Sequence, residues 1–182
     1  ALIDHYVNYK SRFLHERQLI LPDTIWVSDD KAFNIASHLF NKKCKILKIY
    51  NYYLCSILEQ ISKINVKQGC FLYLSEPLKG TWNKKYSCDR EAIQYCLEKI
   101  SKGTFGKIKR FTIRPHPADV KKNFLWLEKV KKPFEIKIDT NNEISTSIGE
   151  AEFVAGCDTY ALKVSLLSKR KTFFSYPPFA PE

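Results

Sequence analysis

The sequence has no methionine, and no apolar run in it approaches the roughly 18–20 residues needed to cross a bilayer. Its first twenty residues are mixed and polar, unlike a secretory signal. The six cysteines (Cys44, Cys55, Cys70, Cys88, Cys96 and Cys157) form no CxxC pair and match neither a zinc site nor a known disulfide framework. Several lie in apolar stretches, where a free thiol packs as a small hydrophobe. Reduced thiols and a cytoplasmic setting are expected. The lack of GxGxxG and of GxxxxGK[ST] removes the dinucleotide fingerprint and the P-loop. With no HExxH, no Ser-His-Asp order and no metal-ligand spacing, no metal is expected. Internal repeats and low-complexity tracts are also missing. Acidic residues are scarce, 19 against 30 Lys and Arg, for a net charge of +11 over 182 residues. That surplus either serves solubility or favours an anionic partner: nucleic acid, an acidic membrane surface or a phosphorylated small molecule. The lysines are spread over most of the chain, with only short clusters such as Lys121-Lys122 and Lys131-Lys132. A nucleic-acid binder collects its charge on one face, so no nucleic-acid partner is expected.

What is present is an alternation of short apolar strands and helical patterns. At 45% apolar and 27% charged residues, the chain suits one α/β domain, or one domain with part of a second. Residues 1–20 place Leu2, Tyr6, Tyr9 and Phe13 at mixed helical spacing, which predicts a helix broken at Leu21-Pro22-Asp23. TIWVS (24–28) reads as a β-branched and aromatic strand, and Ser28-Asp29-Asp30 offers cap oxygens to a helix reaching about Phe40. CKILKIY (44–50) is the next strand, followed by a helix from Asn51 to about Ile64. From Cys70 a second series begins. CFLYLSE is a near-continuous apolar run, as in a parallel strand covered on both faces. Helices are expected at 89–101, 118–131, 143–149 and from Thr159, with strands in IKRFTIRPHP, FEIKID (134–139), EFVAGCD (152–158) and KTFFSYPP. This rhythm predicts a doubly wound, Rossmann-like parallel sheet over residues 67–182. Residues 1–66 then form extra β-α units or the end of an amino-terminal α/β domain.

Ligands of such sheets lie beyond the carboxyl ends of the strands, near the reversal of strand order. The residues delivered there are Ser75-Glu76-Pro77, Arg114-Pro115-His116-Pro117, Asp139-Thr140, Gly156-Cys157-Asp158-Thr159 and Ser175-Tyr176. In RPHP the two prolines restrict the backbone around His116, and Arg114 supplies a planar cationic donor, a pairing suited to phosphate or carboxylate. The competing role for His116 is a cap or packing residue. In VAGCDTYA a strand meets a helix, so Asp158 or Thr159 stands at unpaired N–H groups that favour an anion, and Gly156 permits close backbone approach. The competing role for Asp158 is an ordinary N-cap. Glu76 is a base, a sugar-hydroxyl acceptor or a solvated loop carboxylate. Asp4-His5 is a candidate acid/base pair, while His15 and His38 read as surface or packing residues within helices.

LYLSEP, IRPHPAD and EFVAGCDTYALKVSLLSKRKTFFSYPP together resemble the nucleotide-sugar-binding half of bacterial GT-B glycosyltransferases. They are most similar to the sialyltransferase and polysialyltransferase-like group of surface-carbohydrate and lipooligosaccharide synthesis. DHYVNYKSRF and LPDTIWVSDD resemble the end of an amino-terminal domain of the same broad kind. The resemblance implies that His116 and Pro117 contact the phosphate of a CMP-linked sugar and that the later helix start, Cys157-Asp158-Thr159, adds a second phosphate contact. The group usually carries two small hydroxyl residues there, and this chain has only Thr159. The acceptor side and catalytic base of GT-B enzymes belong mostly to the first domain, with Asp4 the candidate base here. A chain of 182 residues holds little more than one such domain. The resemblance therefore implies a fragment, a degenerate member or half of an assembly.

The functional expectation is a transferase with a nucleotide-activated donor and no separate cofactor. Its acceptor would be an anionic glycan or glycolipid, met in the cytoplasm or at the inner membrane face. In this expectation His116 and Arg114 stabilise the leaving phosphate. The alternative is a non-catalytic or truncated nucleotide-binding domain that acts with a partner. A phosphatase- or epimerase-like enzyme shares the same fold expectation, because fold does not fix function.

Overall fold

The computed structural model describes residues 9–40, 42–78, 80–82, 86–119 and 121–180. Two compact units divide between Tyr53 and Leu54.

Among the described residues the first unit opens with the one-turn helix α1 (Tyr9–Arg12), then the hairpin of β1 (Leu14–His15) and β2 (Gln18–Leu19). The expected helix stops here because Glu16 and Arg17 both take positive φ, 46° and 67°, the signature of a tight two-residue hairpin turn. His15 accordingly lies on an exposed strand rather than in a helix. The strand β3 (Thr24–Val27), the helix α2 (Asp30–Phe40) and the strand β4 (Lys45–Lys48) form a β-α-β unit with β3 and β4 parallel. Asp29 supplies the cap, its Oδ1 accepting the Ala32 N–H at 2.8 Å. Tyr9, Ile25, Val27, Ala36 and Phe40 make the core of this unit.

The second unit is built on a five-stranded, all-parallel sheet of α/β, Rossmann-like form. Its elements are the helix α3 (Tyr52–Ser62), β5 (Lys67–Leu74), α4 (Cys88–Ser101), β6 (Arg110–Arg114), a 3-10 helix (Lys121–Lys129), β7 (Glu135–Ile138), α5 (Ile144–Glu150), β8 (Ala151–Gly156), α6 (Tyr160–Leu167) and β9 (Lys171–Phe174). The strand order is β7-β6-β5-β8-β9, so the chain runs outward from β5 to β7 and then returns to the other side of β5. Phe71 to Leu74 are buried on both faces, which is why that stretch reads as one apolar run. Phe71, Tyr73, Phe111 and Ile113 pack under α4 and the 3-10 helix. Leu72, Leu74 and Val154 pack in a second core with Ile57 and Ile61 of α3, Ile148 of α5 and Leu162 of α6. The helix that opens at Tyr52 is thus part of this sheet's core.

Within the helix expected over 118–131, residues 121–129 wind as a 3-10 helix. Phe124, Leu127 and Val130 recur every third residue, and all three join the core on one side of the sheet. A period of three keeps them in line on a 3-10 helix, whereas an α-helix would rotate each away by about 60°. Among the described residues no helix is long and apolar enough to cross a membrane.

Candidate functional site

Strand order reverses between β5 and β8, where a chain of hydrogen bonds links the carboxyl ends of β8, β5 and β6. The Asp158 N–H donates to Glu76 Oε2 at 3.0 Å. The Glu76 N–H points at Asp89 Oδ1, 3.4 Å away. The Ser75 hydroxyl, 3% exposed, lies 3.1 Å from Asp89 Oδ2 and 2.8 Å from Asp119 Oδ2. Asp119 Oδ2 in turn accepts the His116 N–H at 3.0 Å. The turn after β6 is therefore tied to the end of β5, and the Ser75 N–H reinforces it by donating to the Arg114 carbonyl at 2.9 Å.

His116 is half-buried, and its imidazole has a defined orientation. The Ala118 N–H donates to Nδ1 at 3.1 Å, which makes Nδ1 the acceptor and places the ring proton of the neutral form on Nε2. Pro115 and Pro117 on either side restrict the backbone that carries it. The result is a single N–H donor presented at the carboxyl end of β6.

Arg114 is engaged by a different set of partners. Its Nη1 donates to Asp139 Oδ2 at 2.7 Å, to the Asn141 carbonyl at 2.9 Å and to Ser147 Oγ at 3.0 Å. Its Nη2 donates to the Asn142 carbonyl at 3.1 Å. The guanidinium thus binds β6 to β7 and α5, with Ser147 also donating to Asp139. Thr159 is the N-cap of α6, its Oγ1 accepting from Ala161 N–H at 3.4 Å, while Asp158 is exposed. Gly156 is buried, and its lack of a side chain is a requirement of the sheet. A Cβ there would stand 2.8 Å from the Leu74 carbonyl of β5. Pro117 is exposed beside His116. Asp4 lies outside the described residues.

Burial raises Asp89 to about 6, with the charges of Asp119 and Glu76 adding to the shift. Burial also pushes Cys157 up to about 11, so this thiol stays neutral near pH 7. It sits 3.9 Å from the Tyr73 hydroxyl and 3.6 Å from Ser175 Oγ, a small buried polar knot under the site. Tyr73 is held well above the usual phenol range, first by burial and then by Cys157 and Asp89. Tyr176 is raised first by burial and then by its neighbours Cys157, Asp158 and Glu76, and its ring lies 5.7 Å from that of Trp82. A cavity of about 810 Å³ flanks His116 on the β6–β7 side, walled by Phe124, Leu127, Ile136 and Asp139 among others. No group of three or more His, Cys, Asp or Glu suited to a metal exists among the described residues.

Two predicted residues, Glu76 and Asp158, are in direct contact, and His116 joins them through the hydrogen-bond chain. Arg114 belongs to a separate cluster. The linking residues Asp89 and Asp119 were not singled out from sequence. Their one local signal is the AD that follows RPHP, an acidic residue three beyond His116 that suits a side chain bonding back to a turn amide. The sequence matches no protein-family model and no curated protein.

Proposed function

We propose that the second unit binds a nucleotide-activated sugar at the carboxyl ends of β5, β6 and β8, as the donor-binding half of a GT-B, sialyltransferase-like glycosyltransferase of bacterial surface-carbohydrate synthesis. The observation that carries this reading is His116, whose Nδ1 accepts the Ala118 N–H and so leaves Nε2 as the ring donor at the carboxyl end of β6, beside the central strand β5. A neutral donor fixed there stabilises negative charge as it builds on a leaving phosphate, with no reorganisation at the moment of reaction. The Thr159 hydroxyl and the start of α6 add further donors. Glu76 already holds the Asp158 amide through Oε2, which leaves Oε1 to accept from a ribose or sugar hydroxyl. In this reading Arg114 supports the site from behind, by tying β6 to β7. The donor is CMP-linked, and the net charge of +11 suits an anionic glycan or glycolipid acceptor met at the inner membrane face.

One observation favours a second reading, a nucleotide-binding module that acts with a partner. Asp89, Asp119 and Asp139 are committed to internal hydrogen bonds and Glu76 Oε2 to the Asp158 amide, so of these four carboxylates only Glu76 Oε1 remains to meet a hydroxyl, and this reading gives it to the donor rather than to an acceptor.

Calorimetric titration of the chain with CMP, CDP, UDP and GDP tests the proposal. Saturable binding of CMP, weakened at least tenfold in His116→Ala, is the expected result. Preference for UDP or GDP changes the donor. No binding by the folded chain removes the nucleotide reading.

A further inference from the structure

The Ser75 hydroxyl carries one hydrogen and faces two carboxylate oxygens, Asp89 Oδ2 at 3.1 Å and Asp119 Oδ2 at 2.8 Å. One donor cannot serve both. With both carboxylates ionised, either Asp119 or Asp89 loses its only hydroxyl partner, and two negative charges flank one buried oxygen. A single added proton resolves the arrangement. Asp89 O–H donates to Ser75 Oγ, Ser75 O–H donates to Asp119 Oδ2, and the same oxygen accepts the His116 N–H.

We propose that Asp89, acting through Ser75 and Asp119, is a positioning residue for His116: a proton held on Asp89 completes a one-way chain of donors that locks the turn of residues 114–119. Its role in anion binding rests on the nucleotide reading above, while the lock itself does not.

The surroundings place the proton on Asp89. It faces Tyr73 of β5 and Glu76 just past that strand, Asp119 from the turn after β6 and Cys157 from the end of β8. None of these supplies a positive charge, and burial favours the neutral acid, which titrates at about 6. Loss of the proton to solvent turns the Ser75 hydroxyl toward Asp89 or leaves it divided. Asp119 is then positioned by one hydrogen bond fewer, and the turn that carries the His116 amide opens more readily. Asp89 and Asp119 stand 14 and 44 positions beyond Ser75 in sequence, so the chain of bonds exists only in the folded sheet.

The test is the hydrogen-exchange protection factor of the His116 amide, read by NMR on the intact chain between about pH 5 and 8. Protection in the wild type should fall roughly tenfold, the loss expected for one charge-assisted hydrogen bond, with a midpoint near that of the Asp89 carboxyl carbon. Asp89→Asn places a permanent N–H donor toward Ser75 and should keep protection within about twofold over the same range. CMP affinity should follow: the wild type loses more between the two pH values than Asp89→Asn, so that titration of the phosphate itself cancels in the comparison. Unchanging wild-type protection, or the same fall in Asp89→Asn, overturns the proposal. If Asp89→Asn does not fold, the wild type still decides. An Asp89 carboxyl that titrates apart from His116 protection overturns the proposal. A protection change without CMP binding by any form leaves the lock in place and removes the nucleotide reading.

Discussion

Asp89 is the residue whose chemistry departs furthest from its sequence context. In an unfolded chain its carboxyl titrates near 3.8, and in the fold near 6. The folded state therefore binds the proton more tightly. This group's stabilising contribution is fully present below about pH 3.8 and is lost as pH rises through about 6. A shift of this size corresponds to about 2–3 kcal/mol at neutral pH and above. Asp89→Asn has no such loss, so urea unfolding between pH 4 and 8 should show the variant gaining on the wild type as pH rises. The gain should approach about 2 kcal/mol at pH 8. A constant difference across the range would mean that Asp89 does not carry its proton into the neutral region. His116 and Arg114 divide in function at this same scale. Sequence puts them two apart with one chemistry, and the fold sends the guanidinium to Asp139 and leaves the imidazole at the strand end. Asp139's side chain is only 3% exposed, and a carboxylate so buried needs its cation.

Among the elements, β5 and β8 set the geometry of the site because they meet where strand order reverses. Gly156 allows that meeting. A methyl group there would press against the Leu74 backbone carbonyl at 2.8 Å, where the paired ends of β5 and β8 must shift to make room. Gly156→Ala should cost about 1–3 kcal/mol, seen as a lower denaturant midpoint with an unchanged slope. It should also move the Asp158 amide off Glu76, which sits two residues further on. A stable variant with a wild-type midpoint would show that the strands separate easily here. The strand–helix alternation was legible because β5 is buried on both faces and because Asp29 and Thr159 cap at the expected places. The hairpin at 14–19 was not legible. Glu16 and Arg17 are not turn formers, and their left-handed conformations are imposed by the two strands that close around them. The 3-10 helix was hidden for a related reason. Its every-third-residue apolar spacing also fits an α-helix over so short a length, and packing onto the sheet selects between them.

At the scale of the whole molecule the dominant quantity is charge. A net +11 raises the local concentration of anions around the protein, and the effect falls as salt shortens the screening length to a few ångströms. CMP affinity should weaken several-fold between about 0.05 and 0.5 M NaCl, and titration at a series of salt concentrations measures it directly. A flat profile would place the lysine surplus away from the site. The amino-acid sequence by itself determined the composition, the charge, the alternation of strands and helices, and the prolines that confine His116. Composition and charge are sums over the chain, and the alternation and the prolines act over a few neighbouring residues. Only the tertiary structure decided that Ser75, Asp89 and Asp119 meet, that the Arg114 guanidinium is taken up by Asp139 and Ser147, and that Gly156 abuts Leu74. Those contacts depend on the strand order β7-β6-β5-β8-β9, which is chosen by burial summed over the whole sheet.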